Sequence, residues 1–381
     1  MSMGKNISKK IIGGVILAFL FLPIIQDITH FIYIKPLGGY IEKVKSPEFS
    51  ATDWFERNFQ EKKEKYLNQE FGFRNFLVRL HNQFCYQIFK EAYAKWVVVG
   101  KENYLYELGY IDSYYGRDFI GDEKIKEQAG KLKFIQDTLR KLNKNLVIVI
   151  APSKASFYPE YIPKEYRTAK ARTNFDAYKE SFKTQGVDYI DFSKWFDSLK
   201  NKSQYPLYPQ YGVHWSIYGA AFAFDSLVRN IEQLRKVDLP DFKIKGYETP
   251  DTLRSPDDDV YAGMNLLLAP TSYKMTYPLI NINDDSSKKK LPAILIGDSY
   301  CWNIVNLGSA QRIFSNFRFW YYYKEVYSND QNQKEVSQLN LKDEIDKSDV
   351  IIILSRNADI HRLSWGFIDD CYNMYTKKKE K

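Results

Sequence analysis

Three stretches of this sequence are apolar without alternation: Leu146-Val-Ile-Val-Ile-Ala151, Pro292-Ala-Ile-Leu-Ile-Gly297 and Val350-Ile-Ile-Ile-Leu354. A strand with no polar face must be covered on both sides, which is the condition of a parallel strand between two helical layers. Val187-Asp-Tyr-Ile-Asp191 reads as a fourth, weaker strand. Between these runs the pattern turns helical. Over 123–142, Ile125, Ala129, Leu132, Ile135 and Leu139 share one face, and 171–185 and Trp215–Leu234 read as further helices. Strands alternating with helices predict a doubly wound α/β fold on a parallel sheet. Such sheets bind ligands at the carboxyl ends of their strands. Pro152, Ser299 and Ser355 are therefore expected on one edge.

The N-terminus carries a different signal. Lys9-Lys10 precede Ile11-Ile-Gly-Gly-Val-Ile-Leu-Ala-Phe-Leu-Phe-Leu-Pro-Ile-Ile25. A positive flank before an apolar run is a membrane anchor or an export signal. The run continues through Asp27 into Ile28–Ile34, and no small-residue cleavage site follows it, which favours an anchor. Residues 1–35 are thus read as anchor or signal, with the rest of the chain outside the cytoplasm, and 36–60 as a linker. Trp54–Tyr93 is helical in pattern, interrupted at Phe71-Gly-Phe-Arg-Asn75, and a hairpin is expected around Gly100-Lys-Glu-Asn103. A basic tail fills 376–381.

The net charge is +8, but the excess sits in short lysine runs such as Lys288-Lys289-Lys290 and Lys377–Lys379. These read as solvated loops and ends. No basic helix is interleaved with base-reading residues, so nucleic acid is not expected. Three cysteines show no CxxC and no zinc spacing, and admit one disulfide plus a free thiol, or no disulfide; no metal and no cofactor is expected.

Chemistry concentrates at two places. Ser299 follows the 292–297 strand on a Gly297-Asp298 turn, where α/β folds place nucleophiles. Serine needs a base to remove its proton, and imidazole titrates near neutrality. Of the four histidines, His214 lies in Tyr211-Gly-Val-His-Trp-Ser216, just before a helix, in a loop rich in Pro and Tyr. His361, after the 350–354 strand, is a weaker alternative. Together, Ser299 and His214 suggest acyl transfer or ester cleavage.

These residues resemble the SGNH-hydrolase-like polysaccharide O-acetyltransferases of the alginate type, the AlgJ/AlgX-like family. Phe71–Asn75, Val99-Gly-Lys-Glu-Asn-Tyr-Leu-Tyr106 and Ala151-Pro-Ser-Lys-Ala-Ser-Phe-Tyr-Pro-Glu160 match its early segments. His214-Trp215 and Gly297-Asp-Ser-Tyr300 match its motifs in its order, histidine before serine, permuted relative to ordinary SGNH hydrolases.

The resemblance implies a single SGNH-like acetyltransferase domain over 61–375. In it Ser299 carries the acetyl group and His214 is the general base. It also implies a polysaccharide substrate, a membrane-bound O-acyltransferase partner, and a single-pass protein of the inner membrane facing the periplasm. The family pattern is Asp-x-His-Trp, but here the first position is Gly212. The orienting group would then be a carboxylate from elsewhere or a backbone carbonyl, or a Ser–His dyad would act alone, or activity would be weakened. Oxyanion or substrate-binding candidates are the Ser299 N–H, Tyr300, Asn303, Asn357 and Lys154. Alternative readings are a carbohydrate or acetyl esterase and a noncatalytic glycan-binding subunit of an export complex, the latter motivated by Gly212.

Overall fold

A computed structural model describes residues 2–39, 44–269, 274–283, 285, 287–328 and 334–377. Most of the tail at 376–381 and parts of the 284–290 loop lie outside the described residues. The chain forms two compact units. One comprises Met1–Lys95 with Tyr261–Ala269, and the other Trp96–Val260 with Pro270–Lys381.

The larger unit opens with a hairpin, β1 (Val97–Val99) and β2 (Leu105–Glu107). Its remaining strands are β3 (Asn145–Ala151), β4 (Tyr189–Asp191), β5 (Asp241–Glu248), β6 (Tyr277–Asn283), β7 (Pro292–Gly297), β8 (Ser315–Tyr321), β9 (Glu325–Ser328), β10 (Lys334–Glu335) and β11 (Val350–Arg356). Seven of them form a sheet in the order β10-β9-β8-β7-β11-β3-β4, while β5 and β6 pair separately. The five from β8 to β4 are parallel, and β9 and β10 add an antiparallel edge.

The register aligns the carboxyl ends. Gly297 pairs with Leu354, and Arg356 with Ala151. The residues after β7, β11 and β3 therefore emerge on one edge, as the sequence predicts.

Unalternating strands are buried on both faces, as their composition requires. On one face Leu146, Ile148, Ile150, Ile294, Ile296, Ile351 and Ile353 pack with Leu132, Ile135 and Leu139 of the helix Asp122–Lys141 and with Phe182 of the helix Asn174–Gln185. Each such buried side chain contributes roughly 1.5–3 kcal/mol. The helix Asn174–Gln185 starts where Thr173 accepts the Asp176 N–H, and stops at Gly186, whose φ of 68° is the left-handed conformation that closes helices.

The smaller unit contains α1 (Ser2–Thr29), α2 (Ala51–Phe55), α3 (Asn58–Glu70) and α4 (Arg74–Phe89). Lys9–Thr29 is long and apolar enough to cross a membrane, and only 6% of it is buried. α2 and the start of α3 fall inside the segment read as a linker. The α3–α4 interruption is an elbow at Gly72, packed on α1. A Cβ there would lie 2.2 Å from the Pro23 carbonyl oxygen and 2.9 Å from the Asp27 nitrogen.

Candidate active site

β7 delivers Gly297-Asp298-Ser299 to the carboxyl edge. Gly297 has no room for a side chain, since a Cβ would meet Cys301 Sγ at 2.2 Å and the Leu354 oxygen at 2.7 Å. Asp298 is fully buried and locks the turn. Its Oδ1 accepts the Tyr300 N–H at 2.9 Å, and its Oδ2 accepts the Arg356 N–H at 3.0 Å. Burial pushes its carboxyl up, against the pull of Arg356. The turn of β7 is thus tied to the end of β11.

His214 arrives from a loop closed by helix capping. Ser216 accepts the Gly219 N–H at 2.9 Å and donates to the Pro206 carbonyl at 2.8 Å, which starts the helix Ile217–Arg235 two residues after Trp215. His214 Nε2 lies 2.8 Å from Ser299 Oγ, and its Nδ1 lies 2.5 Å from Asp259 Oδ2. Asp259 Oδ1 accepts the N–H groups of Val213, at 3.0 Å, and Val260, at 2.7 Å. The hydrogen-bond network assigns the proton to Nδ1, facing the carboxylate, and leaves Nε2 free to accept from the serine.

The carboxylate that is missing at Gly212 therefore comes from Asp259, 45 residues after His214. The geometry explains the exchange. A Cβ on Gly212 would lie 2.6 Å from the Pro256 oxygen and 2.9 Å from the Asp257 oxygen. The loop that carries Asp259 fills the space a side chain at 212 would need.

Arg356, at the end of β11, completes the cluster. Its Nη1 donates to Ser299 Oγ at 3.2 Å, and its guanidinium pairs with Asp359 at 2.5 Å and Asp298 at 3.5 Å. It also lies over the Tyr110 ring, 4.8 Å from the centroid. Burial opposes its charge, but Tyr110, Asp298 and Asp359 outweigh that and hold it firmly protonated. Glu107, at the end of β2, feels both Arg356 and His214, which draw its carboxyl down while burial pushes it up further.

The other predicted residues are buttresses. Lys154 is completely buried and so offers a sugar no surface. Its Nζ donates to the carbonyls of Gln210, at 2.8 Å, and Gly212, at 2.7 Å, and so braces the histidine loop. Burial lowers its pKa well below that of a free lysine, against the pull of Asp259 and Asp257. The Tyr300 N–H, expected as an oxyanion donor, is taken by Asp298, and its hydroxyl donates to the Val213 carbonyl at 3.1 Å. The Asn303 amide donates to the Trp215 carbonyl at 2.8 Å. Asn357 accepts the Ser153 N–H at 2.9 Å, donates to Ser156 Oγ at 3.0 Å, and lines a cleft with both serines and Asp191. His361 Nδ1 faces Asp118 at 3.6 Å instead of the serine. Cys85, Cys301 and Cys371 are buried and unpaired. Among the described residues, no group of three His, Cys, Asp or Glu side chains is placed to hold a metal.

Sequence reasoning missed Asp259 and Arg356. Asp259 ends the acidic run Asp257-Asp258-Asp259, and Arg356 follows directly on an apolar strand. Either signal could have flagged a buried charge.

A family model for the SGNH hydrolase-like domain of acetyltransferase AlgX matches residues 97–304, a span containing His214, Asp259 and Ser299. The chain is 23% identical over 266 residues to the probable alginate O-acetylase AlgJ of Pseudomonas putida, covering 65% of this chain and 66% of that protein. It is 24% identical over 221 residues to the Pseudomonas aeruginosa counterpart, covering 55% and 54%. The aligned regions thus span between half and two thirds of those relatives. Among solved structures, the O-acetyltransferase domain of Pseudomonas putida AlgJ matches 73% of this chain and 99% of its own, at 17% identity and a TM-score of 0.49.

Proposed function

Because this chain belongs to the family of AlgX-type SGNH hydrolase-like acetyltransferase domains, we propose that it transfers acetyl groups through Ser299 onto hydroxyls of an extracytoplasmic polysaccharide. The observation that carries this reading is the unbroken relay Asp259–His214–Ser299, with contacts of 2.5 and 2.8 Å. His214 Nε2 takes the Ser299 proton as Oγ attacks the acetyl carbonyl of a donor ester. The donor's alkoxide leaves with that proton, and acetyl-Ser299 remains. A sugar hydroxyl then gives its proton to His214 and attacks the acetyl carbon, and Ser299 leaves, reclaiming the proton. Asp259 holds the imidazole in the accepting tautomer and stabilises the imidazolium. Arg356 donates to Ser299 Oγ and so favours its deprotonation, and its fixed positive charge lies next to the tetrahedral centre whose former carbonyl oxygen becomes negative.

The noncatalytic reading rested on Gly212, and the Asp259 contact supports the catalytic one instead. α1 would anchor the protein, with a membrane-bound O-acyltransferase as acetyl source. The test is wild type against Ser299→Ala with an acetyl ester, with and without oligosaccharide. We expect an acetylated Ser299 in wild type, none in the variant, and product esters on the sugar. Equal acetyl-ester turnover by both proteins would refute the mechanism. Acetate release that ignores added oligosaccharide would point to an esterase.

A further inference from the structure

α4 is built inside out. Its buried positions include Asn82, Gln83, Cys85 and Tyr86, and they face inward by polar contacts. The Asn82 amide donates to the Met264 carbonyl at 2.9 Å, and Gln83 Oε1 accepts the Leu268 N–H at 3.0 Å. Arg79 reaches the carbonyls of Leu266, at 3.3 Å, and Pro36, at 2.7 Å. The opposite side carries Leu77, Leu80, Phe84 and Ile88, exposed by 45, 45, 55 and 61%. Steps of three and four residues place them in one stripe. Phe89, 58% exposed, extends it at the far end, with its ring against that of Phe84. A helix in water shows the reverse arrangement. Contiguous exposed apolar surface marks an interaction face.

The occupant follows from the same unit. The α3–α4 elbow sits on the end of α1: Gly72 packs against Pro23 and Asp27, and Phe73 meets Phe31 edge-on at 6.1 Å. α4 begins two residues later. α4 therefore begins beside the last turns of the apolar segment Lys9–Thr29. If α1 spans a bilayer, its contact with the elbow brings the start of α4 to the lipid surface, where the exposed stripe can meet it. We infer that α4 is an interfacial helix, with Leu77, Leu80, Phe84 and Ile88 set into the headgroup–acyl boundary, so that the anchor and α4 dock the protein on the membrane together. Apolar faces of this kind bury by about 5–10 Å in that boundary. The inference rests on the anchor reading of α1.

The test uses the full chain in vesicles of phosphatidylcholine and phosphatidylglycerol. Spin labels are placed one at a time by Leu80→Cys, Phe84→Cys and Ile88→Cys, with Leu17→Cys on α1 and the exposed Lys65→Cys on α3 as references. The native thiols are buried. Oxygen should outcompete a water-soluble nickel complex as relaxant at 17, 80, 84 and 88, and lose to it at 65. Labels at 80, 84 and 88 that behave like 65, with 17 still in lipid, overturn this inference alone. A water-exposed label at 17 overturns the anchor reading as well. Exclusion of both relaxants at 80, 84 and 88 means that protein covers the face, and also overturns it. Photoreactive lipid offers a reading without substitutions: adducts on 76–89 of the wild-type chain are expected, and their absence refutes lipid contact.

Discussion

Replacing Asp259 with asparagine tests the site most sharply. Oδ1 of the new amide could still accept the Val213 and Val260 N–H groups, so the loop keeps its ties. The amide nitrogen would take the place of Oδ2, 2.5 Å from His214 Nδ1 in the native site. Two donors cannot face each other, so the imidazole must move its proton to Nε2. There it points at Ser299 Oγ and cannot accept. In a serine protease the same change costs about 10⁴ in kcat. Here the Asp259 side chain is 25% exposed and that of His214 12%, and solvent softens the effect. We expect a loss of 10²–10⁴, or about 3–5 kcal/mol at 1.36 kcal/mol per tenfold. The assay is the pseudo-first-order labelling of Ser299 by a fluorophosphonate, with melting temperature as control. Labelling within threefold of wild type by a folded variant would sink the argument. Adding Gly212→Asp should not rescue it, because the Pro256 and Asp257 carbonyls occupy that space.

Removing Arg356 as Arg356→Met takes away the cation that faces the buried Asp298 and the nearby Asp359, leaving Asp298 only its backbone N–H partners. Calorimetry should read a loss of about 3–5 kcal/mol. Arg356→Lys keeps the charge but loses the fork that joins both carboxylates to Oγ, so serine labelling should slow by at least about tenfold at a smaller stability loss. Asp257 is buried beside the histidine loop, and burial pushes it up to about 8, against the Ile217 N–H it accepts. Its folded form keeps a proton that the unfolded chain releases near pH 4. Stability should therefore fall as pH rises from about 4 to 8 and level off above. Asp257→Asn should flatten that slope and raise the melting temperature most at pH 8 and above.

The parts of the fold that were legible are those whose pattern admits one environment. β3, β7 and β11 have no polar face, so their burial and their shared carboxyl edge followed. β8 was not seen, because Phe317-Arg318-Phe319-Trp320 mixes a charge into an aromatic run. That arginine is buried and paired with Glu344, a contact distant in sequence. The active site was legible for the same reason in part. Ser299 and His214 stand in local frames that the sequence spells out. Asp259 does not: the acidic run 257–259 marks a cluster of charge, but the pairing with His214 depends on a loop folding back over Gly212. Lys154 misled in the opposite way, since a lysine by a strand end reads as a ligand group until its burial is known.

The short helix Asp259–Gly263 belongs to two neighbourhoods. Its first residue orients His214, and from Tyr261 onward the chain is held by α4 through Asn82, Gln83 and Arg79. Asp259 is thus two residues from a segment whose own partners are side chains of α4. A fragment cut after residue 95 would retain Asp259, His214 and Ser299, yet would lose the Asn82, Gln83 and Arg79 side chains that bind Met264, Leu268 and Leu266. Removing the N-terminal helices therefore leaves the backbone of 264–268 without those partners, five residues past Asp259.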